Sequence, residues 1–284
     1  MDPRVWFITG ASSGLGYALA RHVLEQGDRV VMGARTVGPM CELANRYPDR
    51  GLAVKLDVTD PDQRASAVQS CRDRFGSLDV LVNSAGTDFW GAIEEQDEAD
   101  YRATFEVNLF GAVELIRLVL PDMRSRRRGT IVNISSLRGI VSAGGNGYYC
   151  SSKFALEGLT EALWQEIEPL GLRAFLVEPG PHRTGMDTRV RFSGSVTDAY
   201  EGSSGRLVKI MANIKPEQFL GDPIKAVTAI YQEVRANSKR HRMILGSEAY
   251  QQIGAKLNAF QSEFESSRDL AFSTDYPAAG PSVL

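Results

Sequence analysis

An α/β fold, a doubly wound parallel sheet of about seven strands with helices on both faces, is predicted by three features of the 284-residue chain. Short, continuous apolar runs recur along it. Helix-length segments separate them. A glycine cluster sits between the first run and the first helical segment. Strands buried on both faces read as unbroken apolar runs, and repeated β-α-β order makes the sheet parallel.

The runs predicting strands are Val5–Thr9, Arg29–Ala34, Leu52–Leu56, Leu78–Asn83, Thr130–Ser135, Arg173–Glu178 and Arg242–Leu245. Between them, helices are expected at about Gly14–Gln26, Pro39–Tyr47, Pro61–Phe75, Asp97–Met123, Tyr148–Glu168 and Asp222–Ala236. There is no internal repeat and no low-complexity tract. The length suits one domain over residues 1–284. An irregular insertion at about 182–221 is long for a compact domain and reads as a substrate lid. The Ala-, Pro-, Ser- and Gly-rich tail at about 269–284 is expected to be loosely structured.

Composition excludes several classes. The formal net charge of −3 offers no general attraction to nucleic acid or anionic membranes. The arginines at 124 and 126–128 follow a helix end, where cations complement the dipole, so no nucleic-acid partner is expected. No apolar run is long enough to span a membrane, and no signal segment is evident, so a cytoplasmic location is expected. Cys41, Cys71 and Cys150 are odd in number and widely spaced, which fits a reducing compartment. No cluster of ligands suggests a metal, and His22, His182 and His241 read as structural, exposed or pocket-edge residues.

The cluster Thr9-Gly10-Ala11-Ser12-Ser13-Gly14-Leu15-Gly16 lies where a first strand meets a first helix. Glycines let the backbone turn and approach a ligand, and the helix N-terminus offers amides and partial positive charge to a phosphate. The second strand ends Met32-Gly33-Ala34-Arg35-Thr36, with an arginine and no acid. An acid there suits the ribose of NAD, whereas an arginine suits the extra phosphate of NADP; NADP(H) is therefore preferred, with NAD(H) possible.

With these come Leu56-Asp57-Val58, Asn83-Ser84-Ala85-Gly86, Asn108, Ser136, Tyr149-x-x-x-Lys153 and Pro179-Gly180-Pro181-His182-Arg183-Thr184. In this order they resemble the motifs of the short-chain dehydrogenase/reductase family, in its compact single-domain, Rossmann-type branch. The resemblance covers about Arg4 to Thr184. Ser84 departs from that family's second Asn, and the first, Asn83, is the one expected to brace the sheet. The resemblance implies that Asn108, Ser136, Tyr149 and Lys153 are the catalytic four. It implies a cofactor site of Gly10, Ser12, Ser13, Gly14, Leu15, Gly16, Arg35, Asp57, Val58, Asn83, Ala85, Gly86, Pro179, Gly180 and Thr184, with Tyr149 and Lys153 reaching the nicotinamide half. It also implies a helix kink at Asn108 that holds a water near Lys153, and a homodimer or homotetramer paired through the helices of Asn108 and Tyr149.

The chemistry is consistent. Tyr149 and Lys153, four apart on a helix, share a face; the same step from Tyr148 reaches Ser152, which cannot serve. Free tyrosine has a pKa of about 10, and a neighbouring ammonium and the cofactor's positive ring are expected to lower it. Tyr149 then exchanges a proton with a carbonyl or alcohol oxygen. Ser136 ends a strand and can donate to that oxygen; Ser135 competes for the role, and the spacing to Tyr149 resembles the family's with Ser136. Candidate pocket walls are 88–93, 137–142, 146–148 and the lid. Within them Phe89, Trp90, Leu137, Arg138 and Tyr148 are the expected substrate contacts. The expected activity is NADP(H)-linked interconversion of a ketone or aldehyde with an alcohol. The competing readings are an NAD-linked alcohol dehydrogenase of the same family and a non-catalytic NADP(H)-sensing protein.

Overall fold

The structure, a computed structural model, describes residues 3–185, 189–236 and 238–276. Seven parallel strands form the sheet in the order β3-β2-β1-β4-β6-β7-β9. They are β1 (Val5–Thr9), β2 (Arg29–Ala34), β3 (Gly51–Lys55), β4 (Val80–Asn83), β6 (Thr130–Ile134), β7 (Arg173–Pro179) and β9 (Arg242–Leu245). A separate pair, β5 (Phe89–Trp90) and β8 (Arg191–Phe192), forms a two-stranded parallel sheet beside it.

Alternation along each strand splits the core into two layers. Val5 and Phe7 of β1, Val31 of β2 and Leu176 of β7 face one side, packed by Val68, Leu115 and Leu163. Those three belong to α3 (Pro61–Phe75), α5 (Gly111–Arg126) and α6 (Gly147–Ile167). Trp6, Ile8, Val30, Met32 and Phe175 face the other side, packed by Leu19, Met40 and Ile230. These belong to α1 (Gly14–Glu25), α2 (Gly38–Arg46) and α8 (Pro223–Ala236). The doubly wound expectation holds, and the apolar runs are continuous because both residue parities are buried. Strand order reverses between β1 and β4, which opens a crevice at the carboxyl ends of the strands.

A polar brace crosses the sheet centre. Asn83 Nδ2 donates to Asn133 Oδ1 at 2.8 Å, and Asn133 Nδ2 donates to Thr160 Oγ1 of α6 at 2.8 Å. All three residues are buried.

Three segments depart from the expected pattern. The single helix at 97–123 is divided into α4 (Glu98–Phe105), a π-helical turn at Glu106–Phe110, and α5. A 20-residue helix, α9 (Ser247–Ser266), follows β9 and was not expected; only Ala249 and Ile253 are buried on it, so its apolar period is weak. The tail expected to be loose from 269 instead opens with a short helix, α10 (Arg268–Ser273), every residue of which is exposed. Residues 277–284 lie outside the described residues. The segment read as a lid carries β8 and an amphipathic helix, α7 (Ser204–Ala212); residues 186–188 within it lie outside the described residues. No described helix is long and apolar enough to cross a membrane.

Asn83→Ala would leave Asn133 Oδ1 buried without its donor. The expected outcome is a loss of about 1–3 kcal/mol in urea unfolding, the cost of an unsatisfied buried polar group.

Candidate active site

A cleft of about 780 Å³ opens at the strand carboxyl ends. Its floor is the loop between β1 and α1, where Gly10, Ser12, Ser13, Gly14, Leu15 and Gly16 all line it. Gly10 has φ +65, and a Cβ there would stand 2.8 Å from Ser84 O; a Cβ at Gly16 would stand 2.6 Å from Gly10 O. The loop thus packs backbone on backbone, and only glycine fits. Ser13, the N-cap of α1, makes no side-chain bond to the first turn, which leaves that turn's amides open to an anion. Thr9 Oγ1 accepts from Ser84 N and Ala85 N, both at 3.0 Å, and so ties the loop after β4 to β1.

At one end the cleft is walled by Ala34, Arg35, Thr36, Leu56, Asp57 and Val58; at the other by Pro179, Gly180 and Thr184, with Ala85 and Gly86 between. A long cradle, glycine-floored and carrying a positive group at one lip, fits the shape and charge of a dinucleotide. Asp57 Oδ1 accepts from Thr59 N at 3.0 Å and Thr59 Oγ1 at 2.8 Å, which orients the carboxylate at that end.

Ser136, Tyr149 and Lys153 meet in the middle of the cleft. The Ser136 hydroxyl accepts from Arg138 N at 3.0 Å and hydrogen-bonds the Tyr149 phenol. Lys153 Nζ donates to Ile134 O at 3.0 Å and lies 5.9 Å from the Tyr149 ring centroid. Asn108 is buried at the π-helical turn. Its Oδ1 accepts from Thr87 N at 2.8 Å, and its Nδ2 donates to Thr87 O and Ser152 Oγ, each at 3.0 Å. The wide turn displaces Asn108 from the α-helical course and aims it at the loop after β4. A Cβ on Gly86 would lie 3.4 Å from Asn108 Oδ1 and 3.8 Å from Lys153 Nζ, so the two polar groups converge on one small space.

The electrostatics of the chain alone run against the expected acidification of Tyr149. Tyr149 is not acidified by this protein environment: burial, then the charge of Asp88, pushes its phenol above the usual tyrosine value, against the opposing Ser136 bond. Burial also brings Lys153 down to about 8, against the pull of Glu157 and Asp88. Desolvation is the largest cause for both groups.

Three expected site residues lie elsewhere. Asn83 is absent from the cleft wall, and its Nδ2 points instead to Asn133. Phe89 is buried on the other face of two-residue β5, under the Arg191 guanidinium at 5.0 Å, whereas its neighbour Trp90 lines the cleft. Tyr148 sits about 100° around α6 from Tyr149, stacked on Tyr101 at 4.3 Å between centroids, with its hydroxyl donating to Ile93 O at 3.3 Å. Leu137 and Arg138 do line the cleft, as does His182, whose Nδ1 bonds Gly180 O at 2.8 Å. Asp88 and Asn146, within the expected walls 88–93 and 146–148, and Leu207, Ile210, Met211 and Ile214, within the expected lid, complete the wall, although none was given a role in the sequence. The helical spacing of the last four was the available signal. Among the described residues no group of three or more His, Cys, Asp or Glu is placed to hold a metal.

Behind Lys153, one turn along α6, buried Glu157 and Glu178 share the Arg242 guanidinium: Nη1 bonds Glu157 Oε2 and, at 3.1 Å, Glu178 Oε1. Burial raises both carboxyls above the ordinary 4.5.

A profile of the short chain dehydrogenase family matches residues 4–193. A curated relative from Botryotinia fuckeliana, oxidoreductase BOA17, is 31% identical over 272 residues, covering 95% of this chain and 99% of its own. A 3-ketodihydrosphingosine reductase from Bacteroides thetaiotaomicron is 34% identical over 251 residues, covering 87% of this chain and 89% of its own. Among solved structures, a short-chain dehydrogenase from Streptomyces avermitilis is 36% identical with a TM-score of 0.90, covering 96% of this chain and 99% of that one.

The raised Glu157 and Glu178 carboxyls give a pH prediction. A carboxyl whose folded pKa is raised binds more protons folded than unfolded, so its stabilisation is complete below the unfolded value and is lost as pH rises through the folded one. Thermal unfolding should show stability declining from pH about 4.5 toward neutrality, with the decline flattened in Glu157→Gln.

Proposed function

The chain belongs to the short-chain dehydrogenase/reductase family and is an NAD(P)-dependent oxidoreductase, and from that premise we propose an NADP(H)-dependent interconversion of a ketone or aldehyde with an alcohol. The observation that carries the reading is the meeting of Ser136, Tyr149 and Lys153 in one cleft, at the middle of a glycine-floored cradle.

In this reading Gly10, Ser12, Ser13, Gly14, Leu15 and Gly16 hold the pyrophosphate, Arg35 the adenosine phosphate, Asp57 and Val58 the adenine, and Pro179, Gly180 and Thr184 the nicotinamide. The bound cofactor supplies or accepts the hydride. Every other task falls to the chain. Ser136, already bonded to the phenol, positions the carbonyl oxygen and donates to it as charge develops. Tyr149, held as the protonated phenol by burial, donates its proton to that oxygen in reduction and takes it back in oxidation. Lys153 holds the ribose and, as an ammonium, favours the phenolate left after transfer. Asn108, fixed on the Thr87 backbone, brackets a space for a water next to Lys153 that returns the proton.

Arg35 at the cradle lip, with no acid on Ala34 or Thr36 beside it, supports the phosphorylated cofactor. Trp90, Leu137 and the apolar lid face support an apolar carbonyl compound, in keeping with relatives named for a ketosphingoid base and, in a mouse protein 34% identical over 226 residues, retinol. We infer a cytoplasmic enzyme that pairs through the faces of the π-helical turn, α5 and α6, where Phe110, Leu118 and Phe154 are exposed.

Two measurements test the reading. Tyr149→Phe should lower kcat for ketone reduction by about 10²–10⁴-fold, the usual yield of general acid catalysis, and Lys153→Met should lower kcat and shift the basic limb of the pH–rate profile. For the cofactor, kcat/KM with NADPH should exceed that with NADH by about tenfold or more, the equivalent of one charge-assisted phosphate contact, and Arg35→Asp should reverse the order.

A further inference from the structure

Asp88 is a buried carboxylate in the substrate half of the cleft with no cation paired to it. Its Oδ1 accepts from Asn146 Nδ2 at 2.8 Å and its Oδ2 from Trp90 Nε1 at 3.1 Å, both neutral donors. Two cations lie near enough to act on it through their charge, but each is bonded elsewhere. Lys153 Nζ is on Ile134 O, and Arg138 Nη1 is on Val141 O at 3.4 Å. Among the described residues no ammonium or guanidinium forms an ion pair with Asp88. A buried carboxylate without a counter-charge is costly, and such groups concentrate where a ligand completes them.

The position of Asp88 is well determined. Its carbonyl accepts from Arg191 N at 3.0 Å, which joins it to β8 of the lid, and Asn146, wholly buried, also donates to Phe89 O at 3.2 Å. Each carboxylate oxygen has a second lone pair, so two acceptor positions remain after Asn146 and Trp90 are served. Asp88 lines the same cleft as Tyr149, and Asn146, which bonds it, is the N-cap of α6, three residues before Tyr149. Trp90, Leu207, Ile210, Met211, Ile214 and Phe219 give the same cleft an apolar stretch, alongside polar residues such as Ser136, Arg138 and Asn146.

Resting on the carbonyl-reductase reading, we propose that Asp88 determines substrate choice by accepting a hydrogen bond from a hydroxyl or amino group close to the reacting carbonyl, so that the substrate is an apolar ketone bearing such a donor. Burial raises the Asp88 carboxyl, and a donor group on the substrate would stabilise its ionised form. A site built to bond a substrate donor discriminates strongly against analogues that lack it, because its own polar group is then left unpaired.

The test uses the full chain with NADPH and, separately, NADH, on ketones of one chain length: an unsubstituted methyl ketone and its α-hydroxy, α-amino and α-methoxy counterparts. The expected result is a kcat/KM at least about tenfold higher for the hydroxy or amino ketone than for the plain and methoxy ketones, the methoxy group having the bulk but no donor. Whichever of the two leads identifies the donor as neutral or cationic. Asp88→Leu should remove the preference. The wild-type series stands alone should that variant fail to fold. Equal kcat/KM across the series, or a preference that survives in Asp88→Leu, overturns this proposal and leaves the reductase reading intact. Cofactor binding without turnover of any ketone, plain or substituted, overturns the reductase reading and this proposal with it.

Discussion

Strand order reverses between β1 and β4, and at that reversal the connections leave in opposite directions, to α1 on one face and toward α5 and α6 on the other. Every interior strand is covered on both faces, so its side chains belong to the core, and the crevice at the strand-order reversal opens at the carboxyl ends. The glycine loop after β1, the Ser84–Thr87 loop after β4 and Ser136 after β6 all emerge there. Thr9 and the Asn83–Asn133–Thr160 brace hold these exits in register. The positions of the reacting groups thus follow from the sheet, with α6 adding Tyr149 and Lys153 from one side.

The same burial sets the protonation states. Burial raises Tyr149 and lowers Lys153, toward a neutral pair. That arrangement favours a phenol ready to give a proton. A positive charge arriving next to the phenol would push the other way, so the site's acid-base character is shared between the chain and what it binds.

What the sequence made legible and what it hid divide along physical lines. The strands could be read because two-sided burial writes itself as unbroken apolar runs. The Tyr149–Lys153 pair could be read because a helical repeat leaves one register possible. Whether Phe89 or Trp90 faces the cleft depends on the parity of a two-residue strand, and Tyr148 depends on which side of α6 meets α4; neither is set by local composition. Asn83 was expected both to brace the sheet and to meet the cofactor, and its Nδ2 serves the first. Asp88 stood within an expected wall, but its lack of a counter-charge is a fact of three dimensions.

The π-helical turn at Glu106–Phe110 carries one residue more than an α-helix would fit into the same rise. Removing one residue there would let α4 and α5 fuse into a continuous, better-bonded rod. It would also swing the amide of Asn108 away from Thr87 and Ser152. The local fold is therefore held in a less regular state than its own backbone favours, and mutations that mend the helix should be selected against wherever turnover, rather than thermal resistance, is what the cell rewards.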